Sequence, residues 1–170
     1  MLVVFRGLPG TGKTHLARRL LERRSDLLVL SRDALRSAII PRPAFDEEEK
    51  SFIDSLIVAM SGLLLENGRS VVIDGMALSS AKLLERFAET ATENRASIRI
   101  IECVCSEATA LERIAADQGA HPAGDRGADL YYRVRDRFQP TELPYLRIDT
   151  DGEEEENLEA VLGYIENPPD

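Results

Sequence analysis

The sequence predicts an α/β fold, a three-layer αβα sandwich around a five-stranded parallel sheet, in a single domain spanning residues 1–170. Three observations predict it. Short apolar runs alternate with longer segments of helical period from one end of the chain to the other. The first run meets a glycine-rich turn and then a helix, so the chain opens as strand, loop, helix, and repeated units of this kind give a parallel sheet with right-handed crossovers and helices on both faces. The 170 residues, 44% hydrophobic and 30% charged, suffice for one sheet covered on both sides and match ordinary globular usage.

Leu2 to Arg6 reads as a buried strand, because an almost wholly apolar run stops at Gly7. Lys13 to Arg24 follows with helical period. Leu27 to Leu30 is the second strand, with Asp33 just beyond its end, and Pro41 and Pro43 mark a turn. From Asp46 to Asn67, Phe52, Ile53, Leu56, Ile57, Met60, Leu63 and Leu64 recur at helical steps, predicting the longest helix, capped by Gly68. Val71 to Ile73 is a β-branched third strand ending in Asp74-Gly75, and the next helix carries Leu83, Leu84, Phe87 and Ala91 on its apolar face. Ile98 to Val104 supplies the fourth strand, Glu107 to Ala116 a helix, and Gln118 to Gly127 a polar loop with three glycines and one proline. A helix from Asp129 to Phe138 precedes the fifth strand, Tyr145 to Ile148, and Glu153 to Tyr164 closes the chain with Leu158, Val161 and Leu162 inward. The tail from Asn167 is expected to fray.

Composition narrows the function classes. A formal net charge of −9 argues against a general polyanion-binding surface, which needs concentrated Lys and Arg. Much of the acidity lies in Asp46 to Glu49 and Glu153 to Glu156, each opening a helix, where negative charge complements the macrodipole; both runs are expected to be solvated. No apolar stretch is long enough for a bilayer, and no basic leader precedes the first strand, so no membrane partner is expected. Cys103 and Cys105 point to the same side of one strand, where geometry disfavours a mutual disulfide. Together with His121 they make an incomplete metal set, and a reduced, cytoplasmic location fits best.

Ligands of parallel α/β sheets bind beyond the carboxyl ends of the strands. Gly7, Asp33 and Asp74 each follow a strand, so they are expected along one rim. Gly7-Leu8-Pro9-Gly10-Thr11-Gly12-Lys13-Thr14 fits the phosphate-loop template G-x-x-x-x-G-K-[ST] between a strand and a helix. Its glycines let successive N–H groups converge on phosphate oxygens at a helix N-terminus. Lys13 would neutralise the β and γ phosphates of ATP, and Thr14 would place its hydroxyl on Mg²⁺. His15 is expected on the exposed first turn. Asp74, ending the strand VVID, would hold Mg²⁺ through a water or orient Thr14; an Asp before Gly is also an ordinary turn former.

In SRDALR, Asp33 and Arg36 lie one helical turn apart. Asp33 would take the proton of an attacking hydroxyl, and Arg36 would grip a polar or anionic part of the same acceptor. The bland alternative is a helix cap at Asp33 and a surface Arg36. Phosphoryl transfer also needs cations that arrive with the nucleotide and a way to exclude water, for which Arg113 and Arg126 are the candidates, ahead of Arg133 and Arg135. The loop after Asp149 is placed to meet the base.

With these residues assembled, the chain resembles the small P-loop kinases that include phage-type polynucleotide 5′-hydroxyl kinases and kinases of gluconate and antibiotics. The resemblance implies a sheet order of 2-3-1-4-5, Asp33 as general base, Arg36 on the acceptor, and Asp74 beside the phosphate loop. It implies a lid around residues 113–128. The family lid usually carries two arginines four residues apart; Arg113 matches the first, while Asp117 occupies the second, and Arg126 further along the loop is one candidate for the missing cation. The acidic surface and altered lid favour a small or short acceptor over a long nucleic acid, which ranks a small-molecule hydroxyl first and the 5′-hydroxyl of a nucleotide or polynucleotide second. A nucleotide-hydrolysing switch would leave SRDALR without a task, and no N-K-x-D guanine signature is present; an ATP-binding module without transfer is the remaining alternative.

Overall fold

The computed structural model of the protein describes residues 1–117 and 127–167. The elements are β1 (Leu2–Arg6), α1 (Lys13–Arg23), β2 (Leu27–Ser31), α2 (Arg32–Ile39), α3 (Glu47–Glu66), β3 (Ser70–Asp74), α4 (Ala81–Glu93), β4 (Ile98–Val104), α5 (Glu107–Ala116), α6 (Ala128–Arg135), β5 (Tyr145–Asp149) and α7 (Glu154–Glu166). The strands pair in parallel in the order β2-β3-β1-β4-β5, as expected. The register sets Ser31 beside Asp74 and Val104 beside Asp149, which aligns the strand ends on one rim.

β1 is central and buried along its whole length, so its alternate side chains enter opposite layers. Leu2 and Val4 pack with Ile53 and Ile57 of α3 and Leu84 and Phe87 of α4. Val3 and Phe5 pack with Leu16 and Leu20 of α1 and Leu158 and Val161 of α7. Each fully buried side chain of this size contributes about 1.5–3 kcal/mol of transfer free energy. A smaller cluster joins Ala110 and Ile114 of α5 to Tyr131 of α6, with Leu8 and Cys105 against it, so the phosphate loop rests on this helix pair.

Three details differ from the sequence reading. α3 buries Ile53, Ile57, Ser61 and Leu65, whereas Phe52 and Leu63 stay 54% and 61% exposed. The apolar sector of this helix is wider than the stripe that one sheet face covers. A short helix, α2, occupies the segment before Pro41, and its N-cap is Ser31, whose Oγ accepts from Ala34 N at 3.4 Å, so Asp33 is not the cap. Asp46 does cap α3, accepting from Glu49 N at 2.8 Å, but the Glu49 side chain is only 8% exposed. The expectation of a solvated acidic run fails at Glu49, because its carboxylate has buried cationic and amide partners.

Candidate functional site

The turn after β1 is built for close backbone approach. Gly10 has φ 79, and a Cβ there would lie 2.4 Å from the carbonyl oxygen of Ala110, so a side chain would push α5 off the loop. Gly12, at φ 74, caps α1 without a side-chain hydrogen bond, and residues 7–14 lead straight into the first turn of the helix, the local form of an anion cradle. Lys13 Nζ donates to Leu8 O at 2.6 Å and to Thr11 Oγ1 at 3.4 Å. Thr14 Oγ1 donates to Asp74 Oδ1 at 3.0 Å, and Asp74 is 6% exposed. His15 is exposed and pairs with Glu154 at 2.9 Å.

Gly75 brings the second half of the site against the first. With φ 77, a Cβ there would meet Asp33 N at 3.2 Å and Ser31 Oγ at 3.0 Å, so the start of α2 lies directly over the end of β3. The backbone of Asp33 therefore lies against Gly75, the residue after Asp74. Arg36 is 6% exposed, its Nη1 lies 3.3 Å from Asp33 Oδ1 and its Nε 2.8 Å from Glu49 Oε1, and its guanidinium stands over the Phe45 ring at 5.3 Å. The bland account of Arg36 as a surface residue does not hold. Next to this pair, Arg32 Nε lies 3.0 Å from Asp54 Oδ1. Burial pushes the Asp54 carboxyl above its ordinary value, with Arg32 opposing the shift.

Sequence reasoning did not single out Thr150, Arg6 or Glu49. Thr150 follows β5 and stitches three elements: its Oγ1 donates to Thr11 O and Val104 O at 3.2 Å each. Arg113 donates through Nη1 to Thr150 Oγ1 and through Nη2 to Thr150 O, both at 2.9 Å, and reaches Gly10 O at 3.4 Å. Arg113 is thereby fixed against the phosphate loop. Arg6, fully buried under the rim, pairs with Glu102 at 3.2 Å, donates to Gln139 O at 2.7 Å and lies 4.4 Å from the Phe138 ring centre. Burial lowers its pKa, with Glu102 opposing. Gln139 in turn accepts from Ala81 N at 2.8 Å, so Arg6 ties β1 to the segment after α6 and the start of α4. An arginine ending an apolar strand gives no sequence signal for this strut.

Arg126, His121 and residues 118–126 of the expected lid lie outside the described residues. Arg133 lines the cleft, whereas Arg135 is engaged by Glu107 and Asp136. Lys13, Thr14, Asp33, Arg36 and Arg113 all line one cleft of about 2070 Å³ above the strand ends. Residues 2–141 match the family model described as AAA domain. The chain belongs to this AAA-domain family of P-loop kinases. No curated protein matches the sequence significantly.

Solved structures resemble this AAA-domain protein over nearly its full length. A provisionally assigned kinase of Chloroflexus aurantiacus is 25% identical, with 95% of this chain and 96% of that one covered and a TM-score of 0.75. The APS kinase of Mycobacterium tuberculosis, in complex with AMPPNP and APS, is 19% identical over 98% and 97% of the two chains, with a TM-score of 0.70. A gluconokinase of Sinorhizobium meliloti is 16% identical over 95% and 89%, with a TM-score of 0.67. The last two share the fold. Among the described residues of this AAA-domain protein, no helix is long and apolar enough to cross a membrane.

Proposed function

We propose that the protein is an ATP-dependent phosphotransferase that moves the γ-phosphoryl group to a hydroxyl of a small-molecule acceptor. One observation carries this reading: the Thr14–Asp74 pair of the nucleotide half and Asp33 of the acceptor half meet across Gly75. A hydrolysing switch needs no second acid there.

In this reading the amides of residues 7–14 and Lys13 bind the ATP phosphates, and Arg113 adds charge beside Gly10. Asp33 accepts the hydroxyl proton while the acceptor oxygen bonds to the γ-phosphorus, the bond to the bridging oxygen breaks, and ADP leaves. Arg36 steadies the Asp33 carboxylate. The donor set fits Mg²⁺: among the described residues no three His, Cys, Asp or Glu cluster into a self-contained site, whereas a hydroxyl and a carboxylate side by side suit an ion that arrives with phosphate oxygens and keeps its waters. Thr14 and Asp74 would hold Mg²⁺, which would supply charge to neutralise the β and γ phosphates.

Incubation with Mg²⁺ and γ-labelled ATP against nucleosides, 3′-nucleotides, 5′-hydroxyl oligonucleotides, sugars and aminoglycosides tests the proposal. Label should appear in a small hydroxyl compound. Transfer confined to oligonucleotides would move the reading to polynucleotide 5′-hydroxyl kinase; acceptor-independent hydrolysis would make it a switch, and ATP binding without transfer to any acceptor a binding module.

A further inference from the structure

The chain as a whole is acidic, at −9, yet one wall of the cleft is cationic. Lys82 and Arg86 stand four residues apart on α4, and Arg133 and Arg137 stand four apart on α6 and the turn after it; all four line the cleft that holds Asp33 and Arg36. On a helix this spacing sets Lys82 and Arg86 on one face; α4 presents that pair to the cleft, and α6 and the turn after it supply Arg133 and Arg137. Among the described residues, the acid ion-paired with this group is Glu47, 3.9 Å from Arg137 and already held by Lys50 at 2.8 Å. Among the described residues Lys82 and Arg133 are ion-paired with no acid, and Arg86 has none at ion-pair distance, although its charge is felt by the Asp54 carboxylate that Arg32 already holds. The other cations nearby are neutralised: Arg32 by Asp54, Arg36 by Asp33 and Glu49.

The wall lies on the acceptor side. Arg86 Nη2 donates to Ser55 Oγ at 3.4 Å, one residue from the Asp54 that pairs with Arg32 beside Asp33. Arg137 reaches the first turn of α3 at Glu47. Solvated arginines are common singly, whereas these four cations come from two separate segments of the chain to line the cleft that also holds Asp33.

We infer that Lys82, Arg86, Arg133 and Arg137 form an oxyanion-binding wall that takes a phosphate or sulfate group carried by the acceptor. This rests on the phosphotransferase reading above and deepens it, naming the acceptor as a compact hydroxyl compound with an esterified oxyanion. Four cations exceed what Glu47 and Asp54, each already held by another cation, neutralise, and the guanidinium forks of three of them match tetrahedral oxyanions with paired N–H groups. The acidic remainder of the surface repels extended polyanions, which restricts the ligand to one that fits within the cleft.

The test separates the wall from the chemistry. Protein saturated with Mg²⁺ and a non-hydrolysable ATP analogue, so that the phosphate loop is filled, is titrated with inorganic phosphate and, separately, sulfate while arginine Nε–Hε signals are followed by NMR. Saturable shifts are expected at Arg86, Arg133 and Arg137 and none at Arg135, which already has carboxylate partners. The affinity should fall about tenfold in Lys82→Ala/Arg86→Ala and about tenfold in Arg133→Ala/Arg137→Ala. Shifts that do not saturate, equal shifts at Arg135, or unchanged affinity in both double variants would overturn the inference. In the transfer assay, labelling of neutral sugars that is unaltered in both double variants would overturn it while leaving the phosphotransferase reading intact. Saturable phosphate binding without transfer to any acceptor would sink that reading and keep the wall.

Discussion

Glu49 Oε1 sits 2.8 Å from Arg36 Nε, and the two side chains are only 8% and 7% exposed. The other oxygen of the same carboxylate accepts from Ala44 N at 2.6 Å and Phe45 N at 3.2 Å. One acid therefore fixes both the arginine beside Asp33 and the strap between α2 and α3, where Phe45 adopts φ 57. Removing it leaves a buried guanidinium short of a partner and two amides open.

Glu49→Ala is accordingly expected to destabilise the fold by about 3–5 kcal/mol, the usual cost of breaking a buried pair from one side. Glu49→Gln, which keeps an acceptor oxygen, should lose less. Urea unfolding measures both, and equal losses would mean that an uncharged acceptor oxygen does nothing for Arg36 and the charge of Glu49 carries the whole effect.

Asp33 and Lys13 should separate kinetically. Asp33→Asn is expected to leave ATP affinity nearly unchanged and to slow single-turnover transfer by about 10²–10⁴. Lys13→Ala should lower kcat/KM for ATP itself. Full turnover in Asp33→Asn would remove it as the base.

Thr150 and Arg113 should act as one unit. Thr150→Val deletes the hydroxyl that accepts from Arg113 and donates to Thr11, and Arg113→Ala deletes the guanidinium; each should weaken ATP binding, by roughly 1.5–3 kcal/mol for a lost hydrogen bond to a charged group. In a double-mutant cycle the losses should be markedly less than additive. Simple additivity would show that Thr150 does not hold the arginine. Arg126→Ala, assayed beside Arg113→Ala, tests whether the second cation comes from the loop.

The thiols should differ in reactivity. Burial pushes the Cys103 thiol up to about 12 from 9.0, while Cys105 is half-buried. An alkylating reagent at pH 8 should label Cys105 slowly in the native protein and Cys103 only after unfolding. Because the unfolded Cys103 thiol ionises first, the folded state holds the extra proton between about 9 and 12, and stability should fall with rising pH across that interval. Mass spectrometry after labelling decides the first point, and Cys103→Ala should flatten the second.

The strands were legible because a buried parallel strand leaves a short apolar run ending at Gly, Ser-Arg-Asp or Asp-Gly, and all five fall within one residue of expectation at each end. The phosphate loop and the two acids stood out through motif and rim position. Arg6, Glu49 and Thr150 did not, since each takes its role from a partner remote in sequence or across a turn: Gln139 for Arg6, Arg36 for Glu49, Thr11 for Thr150. Periodicity likewise marked Phe52 and Leu63 as apolar without saying that the sheet covers a narrower stripe.

The central place of β1 has a consequence for biosynthesis. The strand that carries the phosphate loop precedes both of its neighbours in the chain, which begin at Ser70 and Ile98. During synthesis β1 therefore has neither neighbour until β3 is made, and only one until β4 follows. Non-local pairing of this kind slows folding and leaves a sticky segment in the open. The interval between the making of β1 and of its partners, rather than the finished sheet, is where a chaperone would have most to protect.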